Sequence, residues 1–268
     1  MRSTQRRSRA RTSGQRTGAF SMVELLVVVG VLGLLLAVLL PGLAHARNHA
    51  KAVVCRANIH QLAVANDLYA DASHGRYAPG AADFQHNLHR WHGARATHDE
   101  PFDPATGPLA PYLDPGGAVR QCPTFDARLV GFEAGTGGYG YNNAYVGTQR
   151  VEAAPGVHVV VSDRTGAFTH RVARPAETVM FTDAAFTSGD VIPYSFAEPR
   201  FHPRFGTRAD PSIHFRHARH ANVAWCDGHV DAHRRTFTWS SGLYDGNPEQ
   251  RDIGWFGATD DNRLFDLQ

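Results

Sequence analysis

From Leu25 to Leu40 the chain reads LLVVVGVLGLLLAVLL, with every residue apolar or glycine. Phe20, Met22 and Val23 extend the run on one side, and Leu43 and Ala44 on the other. Only Ser21, Glu24 and the Pro41-Gly42 pair interrupt it. A helix needs about 20 apolar residues to cross the hydrocarbon of a bilayer. A helix apolar on every face cannot lie on the surface of a soluble domain, although a fully buried core helix could share this composition. The apolar core of a secretory signal is shorter, ~7–15 residues. The spacing therefore predicts a spanning helix over about residues 20–44.

Outward from that run the charge is lopsided. Residues 1–19 hold six arginines (Arg2, Arg6, Arg7, Arg9, Arg11, Arg16) and no Asp or Glu. The rest of the 268-residue chain has 21 Lys and Arg against 25 Asp and Glu, a mildly acidic body behind a basic tail. Such a tail could bind nucleic acid, but ahead of a spanning run it reads as a targeting segment, so no nucleic-acid partner is expected. The positive flank stays cytoplasmic and the body goes outside. Arg47 and Lys51 on the far side are outnumbered.

After Pro41 the pattern becomes amphipathic. Cys55, Ile59, Leu62, Ala63, Asn66, Tyr69 and Ala70 recur at spacings of three and four, opposite Arg47, Lys51, Arg56, His60 and Asp67. This predicts one long helix over residues 20–74, greasy all round in its first half and half-buried in its second. It has room for a bend at Pro41 and ends near Ser73-His74-Gly75. Beyond Tyr77, turn residues interrupt short β-favouring runs: Val119–Cys122, Gly138–Val146, Val157–Ser162 and Thr178–Thr182. Asn222–Cys226 and His229–His233 flank Asp227-Gly228, a hairpin signal that predicts a two-residue type I′ turn. The expected fold is α+β: the long helix packed on a mainly antiparallel β-rich head over residues 75–238, followed by a loop-like tail, 239–268.

The segment Thr17–Glu24, TGAFSMVE, runs straight into the apolar stretch and resembles the prepilin N-terminal cleavage and methylation motif. The resemblance implies a cut between Ala19 and Phe20, with a cut after Gly18 as the alternative. It implies that Glu24, the fifth mature residue, pairs with the Phe20 amine of a neighbouring subunit. It also implies that Pro41 serves helix packing in a filament. A carboxylate near a membrane helix terminus costs ~2–3 kcal/mol or more toward the bilayer centre, so Glu24 calls for a role. His217, nine residues and Asp227-Gly228 resemble the H-X9-DG domain of prepilin-processed proteins. The stretches Cys55–Leu62, Cys122-Pro123, Pro175–Thr178 with Thr182-Asp183 and, more loosely, Tyr139–Asn142 follow in the order that group shows.

The resemblance implies a pseudopilin of a type II secretion system or a subunit of a type IV pilus-like filament, held by a single pass in the inner membrane with its head periplasmic or extracellular. Its partners would be a prepilin peptidase, other pilin or pseudopilin subunits and inner-membrane lipid, with no cofactor. Cys55 and Cys122, both within the resembling stretches, are the expected disulfide, leaving Cys226 free. Two other classes remain. One is a membrane-anchored exported domain that binds a ligand or glycan. The other is an exported metal hydrolase built on His214, His217, His220, His229 and His233 with Asp227 and Asp231. No HExxH, GxSxG, P-loop or GxGxxG string gives an enzyme reading support, and no catalytic or metal-ligating residue is expected.

Overall fold

The computed structural model of the protein describes residues 21–113, 117–125, 133–154, 157–203 and 206–268. The basic tail, residues 1–19, and Phe20, which flank the expected cut, lie outside the described residues. The chain divides into two units, Met1–Ala46 and Arg47–Gln268.

The described part of the first unit is helical from Met22, within α1 (Met22–Ala72). Helical structure continues through Pro41. This is the one helix among the described residues long and apolar enough to cross a membrane: its best window has mean hydropathy 3.0 and none of that window is buried.

In the second unit α1 buries Cys55, Asn58, Ile59, Leu62, Ala63, Ala65, Asn66 and Ala70. This is the amphipathic stripe read from the sequence, with two asparagines inside it. Asn58 Nδ2 donates to Tyr139 Oη (3.2 Å) and Asn66 Nδ2 to Tyr141 Oη (3.0 Å). Asn66 Oδ1 accepts from the amide of Ala78 (2.9 Å). Asn66 is therefore paired at both ends of its amide and Asn58 through its Nδ2, as buried amides require partners. The helix stops where His74 and Gly75 take positive φ, 55° and 75°. The Gly75 amide there donates back to the Ala70 carbonyl (2.8 Å), closing the end in a Schellman-like turn.

The strands are β1 (His89–Arg90), β2 (Gly93–Ala94), β3 (Tyr139–Tyr141), β4 (Gln149–Ala154), β5 (Val157–Ser162), β6 (Val179–Asp183), β7 (Phe186–Ser188), β8 (Asp190–Ile192), β9 (Ile213–His214), β10 (His220–Trp225), β11 (Val230–Arg234) and β12 (Ile253–Gly254). A four-stranded sheet in the order β11-β10-β6-β3 is antiparallel throughout. The other strands form two-stranded antiparallel pairs, β1-β2, β4-β5, β7-β8 and β9-β12. Core residues of α1 (Cys55, Ile59, Leu62, Ala63) join Tyr139, Tyr141, Met180, Phe181 and Ala224 in one apolar cluster. A second cluster gathers Val179, Ile213, Phe215, Val223, Trp255 and Phe265.

Three expectations are corrected. Residues 119–122 form no strand, and only Tyr139–Tyr141 of the 138–146 run does. Residues 239–268 are no loose tail: β12 pairs with β9, and Ile253, Trp255, Phe256 and Phe265 are buried. The Asp227-Gly228 turn is not type I′, because Asp227 is not among the residues at positive φ, whereas Gly228 has φ 87°. The Gly228 amide donates to the Trp225 carbonyl (3.0 Å), and the Trp225 amide to the His229 carbonyl (3.0 Å). The hairpin thus closes over three residues, with Gly228 in the left-handed position after a type I turn. A Cβ on Gly228 would meet nothing within 4 Å, so the expected cost of Gly228→Val is conformational strain alone, roughly 1–3 kcal/mol. The check is a thermal melt of the protein in detergent. An unchanged midpoint would mean that the turn relaxes at no cost.

Candidate functional site

Asp183 ends β6 and is fully buried. A buried carboxylate needs a countercharge and hydrogen-bond donors to remain ionised, and the residues just before and within β10 supply both. Arg216 Nη2 lies 3.1 Å from Asp183 Oδ1, and His217 Nε2 lies 3.3 Å from Oδ2. Asn222 donates to Oδ2 from its backbone amide (2.7 Å) and its side chain (2.9 Å). Burial would push the Asp183 carboxyl up. The Arg216 guanidinium, followed by His217 and the Asn222 amide, outweighs it and holds the carboxyl below its ordinary range.

Arg216 is itself spread over several acceptors. Its guanidinium donates to the Gly138 and Ala184 carbonyls and contacts His214 Nδ1 (3.1 Å). It also lies over the Phe125 ring, 4.5 Å from the centroid.

His217 is positioned by a tight hairpin. Its amide and carbonyl exchange hydrogen bonds with His220 (3.0 Å each way) across Ala218 and Arg219. Both central residues have positive φ, 51° and 66°. The type I′ geometry expected at Asp227-Gly228 is found here, in residues with a Cβ that adopt it at a steric cost. The same His217 Nε2 lies 3.6 Å from Cys122 Sγ. Cys122 is disulfide-bonded to Cys55, with Cα atoms 5.0 Å apart. Cys226 is free and buried, and burial pushes its thiol up.

Cys55, Cys122, Asp183 and His217 bring four ligand-type atoms within 4.8 Å of one another, a donor set zinc could use. As they stand, the sulfurs are spent on each other and Asp183 is engaged by Arg216, Asn222 and His217. The cluster therefore joins α1, the 122 loop, β6 and the β9–β10 connection.

The remaining histidines do not converge. His229 pairs with Asp227 (2.6 Å) and His233 with Asp231 (2.9 Å). Asp231 also accepts from Trp225 Nε1 (2.8 Å), and His233 stacks on Phe256. His220 Nδ1 contacts the Ala218 carbonyl, and its Nε2 accepts from Arg234. These are local pairs along one hairpin.

At the other end of the chain, the Ser21 amide donates to Glu24 Oε2 (2.8 Å) and the Glu24 amide to Ser21 Oγ (3.3 Å). This reciprocal capping box closes the first turn of α1. The Ser-x-x-Glu spacing is readable in the sequence and gives Glu24 a local role beside the one the resemblance implies. Pro41 lies inside α1 and is exposed.

Two further arrangements carry enzyme-like signatures. Gly135–Gly140, GTGGYG, has the G-x-G-x-x-G spacing of dinucleotide loops. It runs into β3 rather than opening a helix, and a Cβ on Gly140 would sit 2.6 Å from Ala184 Cβ and from the Phe196 backbone. Its glycine serves close packing. His92 Nε2 lies 2.9 Å from Ser195 Oγ, with both residues buried. Burial, then Arg90 and Arg95, pushes His92 down to about 3. Its Nδ1 has no hydrogen-bond partner among the described residues, so this pair lacks the orienting carboxylate of a triad.

The chain matches no family model, and no curated protein or solved structure matches it.

Proposed function

We propose that the chain is a prepilin-processed filament subunit, a pseudopilin of a type II secretion system or a subunit of a type IV pilus-like structure, anchored in the inner membrane by residues 20–44 with its head outside. The observation that carries this reading is the start of α1. A helix whose apolar window, of mean hydropathy 3.0, is wholly exposed begins two residues after Phe20, at the register of the Phe-x-x-x-Glu motif. A window that apolar and exposed calls for lipid or other helices as its surroundings. The test is N-terminal sequencing of the mature protein, which should begin at Phe20. An intact Met1, or a start after about residue 40, would reject the reading.

Glu24→Gln separates assembly from capping. Glutamine can still close a capping box but carries no charge for the Phe20 amine of a neighbour. The helix and its membrane insertion should be unchanged, while filaments recovered by shearing should fall several-fold. Wild-type yields would leave Glu24 with the cap alone.

A further inference from the structure

A cavity of about 600 Å³ opens between the β4–β5 hairpin, the segment 81–86 that follows α1, and the loop carrying Glu198. Its size falls within the ~300–1,000 Å³ typical of small-molecule sites. The Asp183 cluster contributes none of its lining, and the assembly reading makes no use of it.

The wall combines one apolar plate with side-chain polar groups of both kinds. Phe84 lines the cavity and is 47% exposed, while its ring stacks on Phe196 with centroids 5.8 Å apart. Asp163, half-buried, has no partner among the described residues, and neither does the exposed guanidinium of Arg164. Asn143 is buried, with its Oδ1 accepting from Thr148 Oγ1 (3.2 Å), which leaves its amide hydrogens available. Glu198 is fixed on its backbone by Ser212 Oγ (2.9 Å) and Trp255 Nε1 (2.8 Å), and on its carboxyl by the Tyr194 hydroxyl (2.7 Å). Burial pushes that carboxyl up to about 7, so it can donate as well as accept near neutrality.

The charges nearly cancel. Arg150 and Arg164 face Asp163, Glu198 and an Asp83 already held by His89 and two backbone amides. A phosphate or other strong anion would want an excess of cationic donors. A purely apolar guest would strip water from Asp163 and Arg164 without replacing it. What fits is a guest with an apolar face for a ring and a rim of hydroxyls that both donate and accept. We propose that this cavity binds a neutral saccharide of one to three rings, its C–H face against Phe84 and its hydroxyls on Asp163, Arg164 and Asn143. The proposal does not depend on whether the chain assembles into filaments.

The experiment is calorimetric titration of the full chain in phospholipid nanodiscs with cellobiose, lactose and diacetylchitobiose, beside glucuronic acid and glucosamine as charged counterparts. Saturable binding of at least one neutral sugar is expected. It should weaken at least tenfold in Asp163→Asn and in Phe84→Ala, and be unchanged in Asp190→Asn, an exposed carboxylate outside the cavity. Melting without sugar confirms that each variant is folded. No binding by any neutral sugar, stronger binding of a charged counterpart, or binding indifferent to both cavity variants would overturn the proposal.

Discussion

Asp183→Ala is expected to be the most damaging single substitution in the head, lowering stability by about 3–5 kcal/mol, the usual cost of orphaning a buried charge. The alanine would leave the Arg216 guanidinium, whose side chain is 4% exposed, without its carboxylate, and the Asn222 amide without its acceptor. Asp183→Asn keeps an acceptor of the same shape but removes the charge, so it should fall between wild type and alanine. The same group sets a pH dependence. Its folded pKa lies below its unfolded value. Its contribution is therefore present above the ordinary carboxylate range and is lost as pH falls below ~4 toward the folded pKa. Wild type should lose stability through that interval more steeply than Asp183→Ala does. Parallel acid limbs in denaturant titrations of the two proteins would show that Asp183 does not hold its charge in the fold.

Removal of the disulfide is expected to cost nearly as much. The bridge joins residues 67 apart, and closing a loop of that length removes unfolded-chain entropy equivalent to about 4 kcal/mol. In a head of this size each kcal/mol moves the melting midpoint by roughly 2–4 °C. Cys55→Ala with Cys122→Ala should thus melt about 8–16 °C lower than wild type. Peptide mapping without reductant should recover the 55–122 pair. Cys226 should alkylate only after denaturation, because it is buried and its thiol is pushed up. A Cys226 that reacts readily in the native protein, or a double variant with an unchanged midpoint, would contradict this.

What the sequence revealed, and what it concealed, follows from how each residue does its work. The α1 stripe was legible because a single apolar period runs from Cys55 to Ala70. Strands β5, β6 and β10 were found to within two residues because they are runs of β-branched and apolar residues between turn signals. The 239–268 segment was not legible. Its buried residues Ile253, Trp255 and Phe265 each fill the core singly, so no period links them. At the Asp183 site, the cysteines were paired only through their resemblance to a family, and His217 stood out through that resemblance and through the histidine cluster. Asp183 was noted only as the end of a resembling stretch and Arg216 did not stand out at all, because a polar residue in a core position looks like a surface residue until its partner is known. The left-handed Ala218-Arg219 turn left no trace either, since neither residue type favours positive φ. The turn nearby that contains a glycine was instead given that geometry.

The anchoring of residues 253–267 has a consequence for the order in which the molecule can be made. The Val179 amide at the start of β6 donates to the Leu264 carbonyl, and the Ala173 amide to the Leu267 carbonyl. Asn142, beside β3, holds the Phe265 carbonyl (2.8 Å). The two central strands β6 and β10 thus sit in a framework that is incomplete until the ribosome has passed Leu267. The apolar segment at 25–40 emerges more than 200 residues earlier. At ~5–20 residues per second, it is available for about ten seconds or more before the head can close. Under the anchoring proposed above, membrane targeting would therefore be committed while the head is still an open chain, which would let the head cross the bilayer unfolded and first take its shape on the far side.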